Sequence, residues 1–168
     1  MKLSALTVLL SAALSLAAHA DNTKLTSELK VSSVVKQADG SEALAPAQTV
    51  KPGDLLQYST VYTNPTPRAV SRLVTNLPIP AGTEWVATGT LPSMVSASLD
   101  GKVFAPVPLM RKTRRADGQW VDAPVPLSEI RSLRWPEQQL AAGASFTTTA
   151  RVRVIAAPTP ATSASAAR

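Results

Sequence analysis

Short runs of strict apolar–polar alternation, each closed by proline or glycine, dominate the chain from Val50 to Val154. Period-two alternation sends successive side chains to opposite sides of a strand, so each run specifies a ribbon with one buried and one solvated face. In the last run, Phe146, Thr148, Ala150, Val152 and Val154 fall on one side, and Thr147, Thr149, Arg151 and Arg153 on the other. Leu73, Thr75, Leu77 and Ile79 oppose Arg72, Val74 and Asn76, with Pro78 and Pro80 closing the run. Leu56, Tyr58, Thr60 and Tyr62 share a face in a strand launched by Pro52-Gly53-Asp54. Asn64-Pro65-Thr66-Pro67 ends that strand, because proline cannot donate to a ladder.

Upstream, Leu25, Ser27, Leu29, Val31, Ser33 and Val35 form the expected inner face of a first strand, with Asp39-Gly40 as a turn and Ser41 to Gln48 as a loop. Glu84 to Thr88 reads as a short strand with Trp85 and Ala87 on one face. Val95 to Leu99 and Val103-Phe104 flank Asp100-Gly101, a strong hairpin signal. Asp117-Gly118 marks a second hairpin with Trp120 just beyond, and Ile130 to Trp135 is a further strand. With fourteen prolines and no sustained 3.6-residue apolar period, the pattern predicts an all-β fold, a single-domain antiparallel β-sandwich of seven or more strands.

The two ends read differently. Lys2, the uncharged Leu- and Ala-rich stretch to Ala17, and Ala18-His19-Ala20 have the form of a signal peptide over residues 1–20. The apolar stretch falls short of the roughly 20 residues that span a bilayer. Cleavage after Ala20 is expected to leave a soluble exported chain with no transmembrane segment, in the periplasm or at the cell surface. The β-domain is expected over 21–156. Residues 157–168, made of Ala, Pro, Ser and Thr with a terminal Arg168, read as a disordered tail that buries too little apolar surface to offset its ordering entropy. The Ala- and Arg-rich composition and the leader look bacterial.

Export also strips the chain of chemistry. The one histidine, His19, leaves with the leader, and there is no cysteine. Neither a Ser–His triad nor a zinc site can be assembled without those side chains. Asp39, Asp54, Asp100 and Asp117 each stand singly beside or near a glycine, where turn formation is their ordinary use, rather than in a calcium-binding cluster. Met94 and Met110 without histidine make a weak case for a copper site, and packing is the default expectation for each. An intramolecular Lys–Asn or Lys–Asp crosslink from Lys24, Lys30 or Lys36 lacks a partner in the last strand. No Walker-type or dinucleotide glycine motif occurs. The expectation is a non-enzyme without cofactor or metal.

Taken in order, the signatures are Lys51-Pro52-Gly53-Asp54, Tyr58 to Asn64, Ile79-Pro80-Ala81-Gly82-Thr83, Arg134-Trp135, Leu140-Ala141-Ala142-Gly143 and Ala150-Arg151-Val152-Arg153-Val154. Over Leu25 to Ile155 this succession resembles the bacterial conserved-repeat family known as domain of unknown function eleven. The resemblance implies an immunoglobulin-like sandwich, a place in the cell envelope and no catalytic residues. The chain departs from the family in three ways. It has one copy rather than tandem repeats, it has Leu77 where the family often has Asp, and Pro106 to Ser128 is long and basic.

That insert carries the one suggestive surface feature. Arg111-Lys112-Thr113-Arg114-Arg115 places four cations in five residues of a chain whose net charge is +6. Such a cluster can steer polyanions to a surface. It is also the ordinary composition of a solvated hairpin tip. Arg151 and Arg153 could extend it. Trp85, Trp120 and Trp135 are expected in the core, Trp120 being the one candidate for an exposed platform. Aromatic interleaving, which nucleic-acid binding needs, is missing near the cluster, so no nucleic acid is expected. The expected function is a non-catalytic envelope module with a structural or protein-interaction role and an unidentified envelope protein as partner. The alternative is binding of an anionic envelope polymer, lipopolysaccharide or acidic polysaccharide, through Arg111, Lys112, Arg114 and Arg115.

Overall fold

The alternating runs become eleven strands in the computed structural model, which describes residues 24–155. The leader and tail expected at 1–20 and 157–168 lie outside the described residues. In chain order the strands are β1 (Thr26–Lys36), β2 (Glu42–Pro46), β3 (Leu55–Thr63), β4 (Val70–Pro78), β5 (Thr83–Leu91), β6 (Ser96–Ser98), β7 (Ala105–Pro106), β8 (Met110–Arg114), β9 (Trp120–Pro124), β10 (Ser132–Leu140) and β11 (Ser145–Val154). A 3-10 turn at Leu127–Glu129 precedes β10.

All pairings are antiparallel. One sheet has five strands in the order β2-β1-β3-β11-β5, the other has four in the order β4-β10-β6-β7, and β8-β9 forms a ribbon of its own. The two larger sheets bury their inner faces against each other. Leu56, Trp85, Ala150 and Val152 come from the first, and Leu77, Ala97, Leu133 and Trp135 from the second. The chain is an antiparallel β-sandwich. Both core indoles keep a partner: Trp85 Nε1 donates to Thr90 Oγ1 at 3.0 Å and Trp135 Nε1 to the Pro92 carbonyl at 3.0 Å. A buried indole N–H left without an acceptor would forfeit part of the gain from burying its ring.

The inner faces expected for β3, β4 and β11 are the observed ones, with Leu56, Leu73, Thr75, Leu77, Thr148, Ala150 and Val152 all buried. Several other expectations need correction. Ser41 to Gln48 is not a loop, because Glu42 to Pro46 pairs with Ser32 to Lys36 as the edge strand β2. In β1, Val31 packs on the core but Leu29 and Val35 are exposed, since the opposing sheet covers only the middle of the strand. Pairing after Asp100-Gly101 starts at Ala105, later than expected. The last but one strand runs on to Leu140 through Pro136, which sits where the register shifts between Trp135 and Gln138 and no ladder hydrogen bond is required of it.

The short strand expected at Glu84 to Thr88 extends from Thr83 to Leu91, and Ala87 is exposed rather than inward-facing. The cause is a wide bulge. Arg151 pairs with Val86 but Thr149 pairs with Leu91, so 87–90 swing away from the ladder. Gly89 closes over the Arg151 side chain with φ +81°, and a Cβ there would come within 2.6 Å of Arg151 Nε and 2.7 Å of its Cδ. The position therefore demands glycine twice, for the left-handed backbone and for the close approach. Gly89→Ala is expected to lower unfolding stability by about 2 kcal/mol, from αL strain and displacement of the pinned guanidinium. Urea denaturation checks this, and an unchanged midpoint would mean that the bulge does not hold Arg151 as described.

Candidate functional site

Two surface features could meet a ligand. The first is a groove of about 950 Å³ on the outer face of the five-stranded sheet. Arg151 crosses this face. Its Nε donates to Gln57 Oε1 at 3.1 Å, and its Nη1 contacts Glu42 Oε2 at 2.7 Å. In a flat sheet, Glu42 and Arg151 would be three strand intervals of about 4.8 Å apart, plus about four residues of about 3.3 Å each along the strand. A direct contact over that offset requires the β1–β2 hairpin to arch over the sheet, and the groove lies under the arch. Its charged groups are largely committed to structure. Arg151 is held as above, Arg153 approaches Glu84 at 3.6 Å, and Asp54 Oδ2 accepts the Lys51 amide at 3.0 Å. Arg151 and Arg153 thus belong to a different sheet from the basic cluster and do not extend it.

The second feature is the β8-β9 ribbon. A three-residue loop, Ala116-Asp117-Gly118, joins the strands. The Arg115 amide donates to the Gln119 carbonyl at 2.8 Å, the Gly118 amide to the Arg115 carbonyl at 2.9 Å, and Asp117 Oδ1 accepts the Gln119 amide at 3.0 Å. Gly118 takes φ +86°, as the third position of such a loop requires. At the root, the Val125 amide donates to the Leu109 carbonyl at 2.7 Å, while Val125 is buried and Leu109 packs on the core. Those two residues anchor the ribbon to the sandwich.

Register decides which side chains act together. Met110 pairs with Pro124, Lys112 with Asp122, and Arg114 with Trp120. These six share one face, and all six are exposed. The other face carries Arg111, Thr113 and Arg115 opposite Ala123, Val121 and Gln119, with Val121 and Ala123 half-buried. The four cations singled out by sequence therefore divide between two faces. Arg111 is also engaged: its Nη1 and Nη2 donate to Glu129 Oε2 and Oε1 at 2.8 and 3.0 Å. This bidentate contact lowers the Glu129 carboxyl below its usual range and raises the guanidinium, the hydrogen bond being the larger cause for each. Lys112, Arg114 and Arg115 remain directed to solvent, with the Arg114 Nε donating to the Gly118 carbonyl at 3.2 Å.

Trp120 is 67% exposed. The expectation of core packing holds for Trp85 and Trp135 and fails for Trp120, which projects from a ribbon too thin to cover it. The cluster is also not free of aromatic company, since Trp120 stands directly across from Arg114. A three-residue loop closing on Gly118 implies that pairing, so the signal was present in the sequence.

The four turn aspartates behave as ordinary turn formers. Asp100 is the clearest: its Oδ1 accepts the Val103 amide at 2.9 Å, the Lys102 amide at 2.8 Å and the Ser98 hydroxyl at 2.9 Å, and these bonds hold its carboxyl at about 2. Asp39 Oδ1 likewise takes the Ser41 amide and hydroxyl, which lower its carboxyl. Among the described residues no three acidic or metal-ligating side chains converge, and no helix is long and apolar enough to cross a membrane. The chain matches no family model, no curated protein and no solved structure.

Proposed function

We propose that the chain is an exported, non-catalytic module of the cell envelope, an immunoglobulin-like sandwich whose business is contact rather than turnover, and that the β8-β9 ribbon makes the contact with an anionic envelope component. The observation that carries this reading is the pairing of Arg114 with the exposed Trp120 on one solvent-facing side of the ribbon, with Lys112 beside them. Folding alone does not call for an exposed indole beside cations, whereas recognition surfaces are enriched in Trp and Arg. The leader at 1–20 supports export. The succession of motifs resembling domain of unknown function eleven supports the envelope setting and the immunoglobulin-like assignment.

The test is retention on an immobilised polyanion such as heparin, measured against salt. The parent chain is expected to bind and to elute earlier as salt screens the contact. Replacing Lys112, Arg114 and Arg115 together with Ser is expected to abolish retention, while Arg111 is kept as the partner of Glu129. Retention unchanged in the triple variant would reject the ribbon as the contact element.

A further inference from the structure

We infer that the component recognised by the ribbon is the phosphate-bearing headgroup layer of a lipid membrane rather than a soluble polymer. This rests on the ribbon being the contact element and names what it contacts. Exposed apolar side chains accompany the cations. Met110, at the opposite end of the exposed face from Trp120, is 55% exposed. Four strand rises of about 3.3 Å separate Met110 from Arg114, the partner of Trp120, so two apolar side chains stand about 13 Å apart along the ribbon with Lys112 and Arg114 on the same face.

At the root, Met110 also borders a shallow, largely apolar groove of about 410 Å³ shared with Leu99, Val103, Leu109 and Val125. Val103 is itself 74% exposed. A sugar polymer can use an indole by stacking and cations by pairing, but it has no use for a thioether, a valine or an apolar groove. A membrane interface uses all of them. The indole lies at headgroup depth with its N–H toward water, the apolar side chains enter the acyl boundary, and the long basic side chains reach back to phosphate. Charge agrees: with Arg111 held by Glu129, the ribbon still carries Lys112, Arg114 and Arg115 against Asp117 and Asp122. An anionic leaflet strengthens binding about fivefold for each basic residue near its surface.

The experiment is sedimentation of the chain with vesicles, together with quenching of tryptophan fluorescence by brominated acyl chains. The vesicles are phosphatidylglycerol mixed with phosphatidylethanolamine, and phosphatidylcholine alone. Trp85 and Trp135 are inside the sandwich, so quenching reports Trp120. The expected result is binding to the anionic vesicles, weaker on the order of a hundredfold for the Lys112/Arg114/Arg115→Ser variant. Quenching is expected in the parent and absent in Trp120→Phe, a surface change that leaves the core untouched. Sedimentation without quenching would overturn the inference, because the apolar side chains would then not enter the lipid. Retention on heparin with no vesicle binding would overturn it in favour of a polymer and leave the ribbon as the contact element. Absence of both would remove the ribbon's role altogether.

Discussion

Asn64→Ala is expected to cost about 3–5 kcal/mol of unfolding stability. Asn64 is fully buried at the end of β3. Its two Nδ2 protons serve three carbonyls, those of Arg68 at 2.8 Å, Ala141 at 3.0 Å and Leu140 at 3.1 Å. Its Oδ1 accepts the Thr66 hydroxyl at 2.7 Å and amide at 3.2 Å. Its backbone adds two more bonds, donating to the Ala144 carbonyl at 2.9 Å and accepting the Gly143 amide at 2.8 Å. One side chain thus ties the 64–68 turn to the β10–β11 connection. Truncation leaves several buried groups without a partner, each at about 1–3 kcal/mol.

Asn64→Asp separates shape from donation. The carboxylate is nearly isosteric but presents only acceptors to three carbonyls. Burial and repulsion would raise its folded pKa above the unfolded value, so the deficit should be greatest at neutral pH and shrink as pH falls and the acid regains a proton to donate. Equilibrium denaturation of both variants across pH checks the sign. A deficit for the Asp variant that grows toward acid pH would contradict the role assigned to Nδ2.

Trp135→Ala is expected to cost a similar amount, about 3–5 kcal/mol, for a different reason. Trp135 is the largest fully buried side chain and sits opposite Thr75 in the four-stranded sheet. Removing it opens a cavity between the sheets and frees the Pro92 carbonyl. Trp135→Phe retains most of the packing and loses the hydrogen bond, so it should fall well short of the alanine variant. Calorimetry or denaturant unfolding ranks the two. Equal losses would mean that the hydrogen bond, rather than ring burial, holds the site.

Much of this architecture was legible in the sequence, and the misses have physical reasons. β4 and β11 are readable because each lies against the opposing sheet, so alternation and burial coincide, whereas in β3 Leu56 alone is buried and both faces are otherwise half-covered. At Leu29 and Val35 in β1 the same alternation lacks a covering partner, and only the other sheet could say so. β2 was missed because Glu42-Ala43-Leu44-Ala45-Pro46 is weak in strand-forming residues and is held at an edge by backbone pairing. Asn64 could be read as a strand terminator but not as a hub, since two of its acceptors, Leu140 and Ala141, lie 76 and 77 residues away. Gly89 gave no local signal either, because what it must clear is Arg151 on the neighbouring strand. The basic cluster was plain in sequence, whereas its division into two faces depended on register.

The most direct measurement is excision of the ribbon. The bond between the Val125 amide and the Leu109 carbonyl allows Met110–Pro124 to be replaced by an Asn-Gly turn at an existing antiparallel pair. Excision is expected to leave a chain that unfolds at the parent's denaturant midpoint and keeps its β circular dichroism but is no longer retained on an anionic column. Full retention by a folded excision variant, or collapse of the sandwich once the ribbon is gone, would contradict that expectation.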